Sequence, residues 1–424
     1  MKRIFFVLFF YLLSNTNFAQ PTSLYLKSTL KENRDKLYRN LVRNTINKNL
    51  SLTLTDSTED NWQDAFGAIE LINYKSPWVE GRLQLAMDGI TSRSARFQRA
   101  LIELAYSNYP DKYYQSVKQL LMQADDAKIF AMCAAYILQS KHAQEDANFL
   151  SVKTKQQLAA KLGDPILEQL LYHINNLSTP LALPSVKSFL QKSYLPGRVL
   201  LISFQRKNRN YPGLVIIRDV YGNVMKDSTG QYFSVPQLAR SLSNLPHYLT
   251  NGSTPQGIFR MKGYEVSRAS FIGPTVNVQL TMPFEKSPAH FYADSAITDT
   301  TWNINDYRKL LPKNLKDYYP IYQSYYAGKA GRTEIIIHGT AINPAYYKSQ
   351  PYYPLTPTMG CLTSKEIWNE ETGQRLESDQ QKLINAMIPA GGAQGYTIVI
   401  NINDEQRPVL LYDIIPLLEK AGHK

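Results

Sequence analysis

The spacing of apolar residues changes partway along this chain, and that change limits the folds open to it. Before residue 176 the apolar positions recur at three and four, the spacing of one helix face. Phe97, Leu101 and Leu104 do so, then Tyr113, Val117, Leu120 and Leu121, then Ile129, Met132, Cys133 and Tyr136. Pro110 marks a break between helices, and Asp111 and Asp125 stand where N-caps are expected. Residues 27–43 are basic and carry Leu30, Leu37 and Leu41 on one face, which reads as a packed helix with a solvated side. Short helices in succession predict antiparallel hairpins or a small helical solenoid.

The pattern shifts at 176–189, "NLSTPLALPSVKSF", where Pro180 and Pro184 fit a linker. Beyond Pro196 it becomes that of strands. "RVLLISFQ" and "GLVIIRDV" are short and β-branched, and "YGN" after them signals a turn. Further strands are expected at "GIFRMKGYEV", "TVNVQLTMPF", "TEIIIHGT" and "GYTIVINI". Helices are expected at 235–248, at 365–387 and at "LLYDIIPLLEKAG". The fold class is therefore an α+β multidomain chain. An all-α N-terminal domain, 20–177, leads through a linker, 178–195, to a β-rich domain with peripheral helices, 196–424.

The first residues read as an address rather than as fold. Lys2 and Arg3 precede an apolar run at 4–13, and Ala19-Gln20 is a cleavage point. This is the layout of a secretory signal peptide, 1–19. The run is about half the ~20 residues needed to span a bilayer, and no later segment is apolar enough to cross one. The expectation is an exported chain of the periplasm or cell envelope that is not an integral membrane protein. A formal charge of +12 favours acidic surfaces, anionic cell-wall polymer included. Export argues against nucleic acid as a partner.

Only two cysteines occur. Cys133, in "KIFAMCAAYIL", reads as a buried small hydrophobe. Cys361 follows Gly360 in a turn. His338 follows three isoleucines, Ile335 to Ile337, so a buried strand delivers it at its end. Ser364 and Glu366 suggest a helix starting just after the cysteine, whose N-terminus would favour the thiolate. Histidine can take the thiol proton, and the N–H groups of Gly360 and Cys361 can form an oxyanion hole. Those are the parts of acyl transfer through a thioester. Taken alone, a Cys and a His 23 positions apart fit a core histidine and a core thiol better than a reactive pair.

A third segment changes the balance. "NGSTPQGIFRM" contains Thr254-Pro255-Gln256-Gly257-Ile258-Phe259, and it precedes His338-Gly339-Thr340 and Thr358-Met359-Gly360-Cys361. Pro255 fixes φ, Gly257 permits a conformation closed to other residues, and Phe259 anchors the next strand. In this order the three segments resemble the TPxGxF, HG and [ST]-x-G-C motifs of the L,D-transpeptidase (YkuD-like) catalytic domain. The resemblance covers roughly residues 196–424. It implies an exported cysteine transferase of cell-wall organisation and cell shape, acting on peptidoglycan stem peptides without metal or cofactor. It implies Cys361 as nucleophile, His338 as general base and acid, and the Gly339 carbonyl as the group that orients the ring. Thr358 would hydrogen-bond within the turn.

Three departures stand out. Met359 replaces a second histidine, and Thr363 replaces an arginine that helps with a substrate carboxylate, leaving that task to Arg332 or Lys348. An insert, "YYKSQPYYPLTP", lengthens the His-to-Cys interval. It fits either a tyrosine-rich lid, in which Tyr346, Tyr347, Tyr352 and Tyr353 line the substrate groove beside Thr358 and Met359, or an aromatic loop whose rings pack together. Two other readings keep the same segments: an L,D-carboxypeptidase or D-amino-acid exchange enzyme, and a catalytically dead wall-binding protein. The helical half is expected to meet a protein or glycan partner.

Overall fold

The computed structural model describes residues 24–178 and 182–423; the expected signal peptide, 1–19, and Pro180 lie outside the described residues. Between Lys31 and Asn175 every element is helical. Lys31–Asn40 continues through a π-helical stretch, Leu41–Asn47, into Lys48–Ser51. Glu59–Ile72, Pro77–Asp88, Ala95–Asn108, Tyr114–Gln123, Ala127–Leu138, Ala143–Gln157 and Pro165–Asn175 follow, with short 3-10 turns among them. Side-chain caps fix several starts: Ser94 accepts from the Phe97 N–H, and Asp126 from the Ile129 N–H. The cap is thus Asp126 and not Asp125. Asp111 caps nothing; its φ is +68°, and its carboxylate accepts from the Lys141 N–H at 3.1 Å.

These helices bury one core, with Trp62, Phe66, Phe97, Phe130 and Cys133 inside it. The helices do not close it alone. Leu245, Tyr248 and Leu249, from a loop far along the chain, complete it. The first described residues are also joined to the last third of the chain. The Leu26 N–H donates to the Gly373 carbonyl at 2.8 Å, and buried Arg34 pairs with Glu370 at 2.7 Å.

The strands are β1 (Val199–Arg206), β2 (Gly213–Arg218), β3 (Ser234–Gln237), β4 (Gly257–Val266), β5 (Val276–Thr281), β6 (Ile336–His338), β7 (Leu362–Thr363), β8 (Glu366–Trp368), β9 (Arg375–Ser378) and β10 (Gly395–Asn403). Eight form one mixed sheet in the order β3-β2-β1-β10-β4-β5-β6-β7, while β8 and β9 pair separately. The chain is therefore α+β. β1 runs parallel to β10, and β6 parallel to β7. β1 is buried throughout, so the apolar residues on its two faces serve two cores at once. Leu200, Ile202 and Phe204 face one, which the helix Leu411–Lys420 covers. Leu201, Val215, Val278, Ile337 and Leu362 face the other, which Leu383 and Met387 of the helix Asp379–Ala390 complete.

Two helical expectations fail. Residues 235–248 hold β3 and then an irregular stretch, because their main chain pairs sideways. Leu238 and Thr363 exchange N–H···O bonds at 2.8 and 2.9 Å, and the Leu242 N–H donates to the Thr358 carbonyl at 2.6 Å. The helix expected at 365–387 begins only at Asp379, where Ser378 accepts from the Gln381 N–H. Residues 362–378 instead supply β7, β8 and β9.

If Leu249 belongs to the helical core, Leu249→Ala should lower the unfolding free energy by about 2–5 kcal/mol. Urea denaturation reads this directly, and a loss within experimental error would mean that the loop only rests on the helices.

Candidate functional site

The site is built by a strand alternation. Ile337 pairs with Leu362 and His338 with Thr363. Ile337 and Leu362 are fully buried against Val278 and Leu280. Side chains alternate between sheet faces. Ile336, His338, Cys361 and Thr363 therefore share the opposite face, with Gln279 of β5 beside Ile336. Cys361 sits one residue before β7, level with Ile336, and so two residues along the ladder from His338. Strand spacing and rise put the two Cα atoms about 8 Å apart. His338 is buried, and Cys361 is partly exposed.

The Nδ1 of His338 faces the Gly339 carbonyl oxygen. A carbonyl only accepts, so Nδ1 carries the hydrogen and Nε2 keeps its lone pair. Burial pushes the imidazole down to about 4, and the Gly339 carbonyl only partly offsets this. The ring is neutral at pH 7. Burial also pushes the Cys361 thiol up, against the Ile336 amide and the Arg332 charge, which favour the thiolate. The resting pair is thus a thiol and a neutral base rather than an ion pair. The helix start expected to favour the thiolate is absent, since β7 follows the cysteine.

Gly360 has φ +112°, and a Cβ there would meet the Gly252 carbonyl oxygen at 2.6 Å as well as the Arg332 guanidinium. No other residue fits this turn. Thr254 donates its hydroxyl to the Gly360 carbonyl at 2.9 Å, which ties the "STPQGIF" segment to the cysteine turn. The Gly360 and Cys361 N–H groups donate to no acceptor among the described residues. Thr358 reaches the Cys361 carbonyl only at 3.5 Å. Arg332 is buried beside the turn and donates to the carbonyls of His247, Gly252 and Ser253.

The tyrosine-rich insert does not form the expected groove wall. Tyr352 is buried with Tyr347 and Leu355, with Arg240 5.0 Å from its ring centroid. Tyr346 stacks on Tyr38 of the first helix at 6.1 Å, and the Tyr347 hydroxyl donates to the Leu71 carbonyl at 2.6 Å. Tyr353 stays exposed, as does Met359 at 63 %. Thr363, where an arginine was the expectation from resemblance, is buried and donates to the Thr356 carbonyl at 2.9 Å.

One residue of the site went unread in the sequence. Glu366 is buried and accepts from Thr275 and Ser378, each at 2.6 Å. Its carboxyl group lies where a Cβ on Gly339 would have to go, directly behind the carbonyl that holds His338. Burial raises its pKa, and these hydroxyls act against that. In the sequence it passed for the acidic first turn of a helix. Family models, curated proteins and solved structures offer no match to this chain.

Two outcomes follow from this geometry. Alkylation of Cys361 by iodoacetamide, followed by intact mass, should be slow at pH 7 and rise with pH to a midpoint above the ordinary thiol range; a midpoint below about 8 would reveal a resting thiolate. Gly360→Ala should cost about 1–3 kcal/mol in thermal or urea unfolding, and an unchanged stability would contradict the strained turn.

Proposed function

We propose that this chain is an exported cysteine acyltransferase of the L,D-transpeptidase type, acting on peptidoglycan stem peptides at the cell envelope. The observation that carries this reading is the shared face of β6 and the Cys361 turn. It gives a neutral imidazole held by its own neighbouring carbonyl, a thiol on the same face, and two N–H groups at the thiol with no acceptor among the described residues. Nε2 of His338 takes the Sγ proton as sulfur attacks the carbonyl of an L-centre residue in a stem tetrapeptide. The oxyanion turns to the N–H groups of Gly360 and Cys361. The C–N bond breaks, and the imidazolium returns its proton to the leaving D-amino acid. The amine of a second stem then attacks the thioester, His338 takes its proton, and the sulfur leaves and is reprotonated. The helices before Asn176 are read as an accessory domain.

The same site supports a second reading, an L,D-carboxypeptidase or exchange enzyme. Cys361 is partly exposed, and the insert that would have covered it packs on the helices. Water or a free D-amino acid therefore has access to the thioester.

The test is mass spectrometry of the protein lacking 1–19, incubated with purified stem tetrapeptides. The wild type should gain an acyl adduct and Cys361→Ala none. His338→Ala should acylate about 10²–10⁴-fold more slowly. A wild type that never acylates, although folded, would overturn both enzyme readings; an adduct resolved only by water would overturn the cross-linking one.

A further inference from the structure

A sizeable cavity lies away from Cys361. It has a volume of about 680 Å³ and lies where the helix Pro165–Asn175, the 244–256 loop and the end of β10 meet. Neither Cys361 nor His338 lines it. Thr254 stands between the two places. Its hydroxyl holds the Gly360 carbonyl, while its own carbonyl accepts from Arg209 on the cavity side at 3.4 Å. The volume falls within the range of small-molecule sites, roughly 300–1,000 Å³.

The cavity's charge comes from a single buried group. Arg209 lines it and is 9 % exposed. Its other hydrogen bonds go to the Arg206 carbonyl at 2.8 Å and the Asn401 side-chain oxygen at 2.6 Å. A guanidinium has five N–H donors, and these acceptors, all neutral, do not exhaust them. No carboxylate pairs with it among the described residues. Burial pulls its pKa down to about 10, with only Tyr318 acting the other way, so it is cationic at neutral pH. The remaining ionisable lining adds little. Lys207 and Asp404 sit exposed at the rim with opposite signs. Burial pushes His173 down and His247 well down, so both are neutral. A buried cation without a counter-ion is costly, and an anion entering the cavity would relieve that cost.

A second observation points the same way. The hydroxyls of Tyr172 and Tyr248, which both line the cavity, are buried and have no hydrogen-bond partner among the described residues. Side-chain amides from Gln323 and Asn176 also line it. We propose that this cavity binds a carboxylate-bearing small molecule, with Arg209 as its anion-binding group and the tyrosine and amide side chains as partners for the rest of the ligand. The carboxylate could belong to an acidic sugar or to a peptide C-terminus, and the site stands whether or not Cys361 is a nucleophile.

The test is isothermal titration of the full chain with two matched pairs of probes: glucuronate against glucose, and Ala-Ala against Ala-Ala amide. At least one carboxylate should bind tenfold or more tightly than its neutral twin. The tighter member of the two pairs tells sugar from peptide. Arg209→Gln should erase that tenfold difference, and Cys361→Ala should retain it. Asn176→Trp, which puts a bulky side chain on the lining at a position that shares no hydrogen bond with Arg209, should abolish binding while the melting temperature holds, so the test survives if Arg209→Gln fails to fold. Equal binding of charged and neutral probes by the wild type, no binding of either carboxylate, a tenfold preference that persists in folded Arg209→Gln, or binding that persists in folded Asn176→Trp would each overturn the proposal.

Discussion

Two residue pairs hold β6 against β7, and the arrangement of the site hangs on them. Ile337 and Leu362 lie fully buried against β5 and the helix Asp379–Ala390. Their burial fixes the register, because a slip of one residue would exchange the core face for the open one. His338 and Cys361 reach the same face only in this register. The pairing is also short, two residues on each strand, so neighbours must support it. Leu238 does so by exchanging hydrogen bonds with Thr363, and the Ser364 N–H closes onto the His338 carbonyl at 3.0 Å.

Around that pairing, buried arginines organise loops through main-chain carbonyls. Arg332 gathers three carbonyls of the 247–253 stretch and lies against Gly360. Arg209 joins the Arg206 and Thr254 carbonyls. Arg218 takes those of Phe189, Gln191 and Leu195 on the far side of the sheet. Carbonyls in irregular buried segments need donors, and one planar guanidinium serves several at fixed angles. The loop held by Arg332 also carries Leu245, Tyr248 and Leu249 into the helical core. Helices, loop and cysteine turn are therefore mechanically continuous.

Much of the secondary structure was legible because burial and periodicity agree. β1, β2, β4, β5 and β10 fall where the β-branched runs stand, and the helices through Asn175 fall where apolar residues recur at three and four. Legibility failed where the main chain is paired with something remote. The 235–248 stretch has helical spacing, but its N–H groups are taken by Thr358 and Thr363. Glu366 looked like a first-turn acid, yet it serves two hydroxyls from β9 and the approach to β5. The tyrosines of the insert looked like a lid because nothing local says which surface they cover. Tyr346 finds Tyr38, more than 300 residues earlier in the chain.

The letters alone single out the residues able to do chemistry: one cysteine outside a helical apolar run, one histidine at the end of an isoleucine run, and the glycines that flank them. Those depend on residue type and immediate neighbours, which a string of letters records. Folding in three dimensions sets the rest: the two side chains share a face, both rest uncharged, Glu366 backs the Gly339 peptide, and Arg332 and Arg209 are buried beside the Thr254 segment without carboxylate partners among the described residues. Register, burial and electrostatic surroundings come from segments far apart in the chain, and their spacing along it carries no trace of the distances between them.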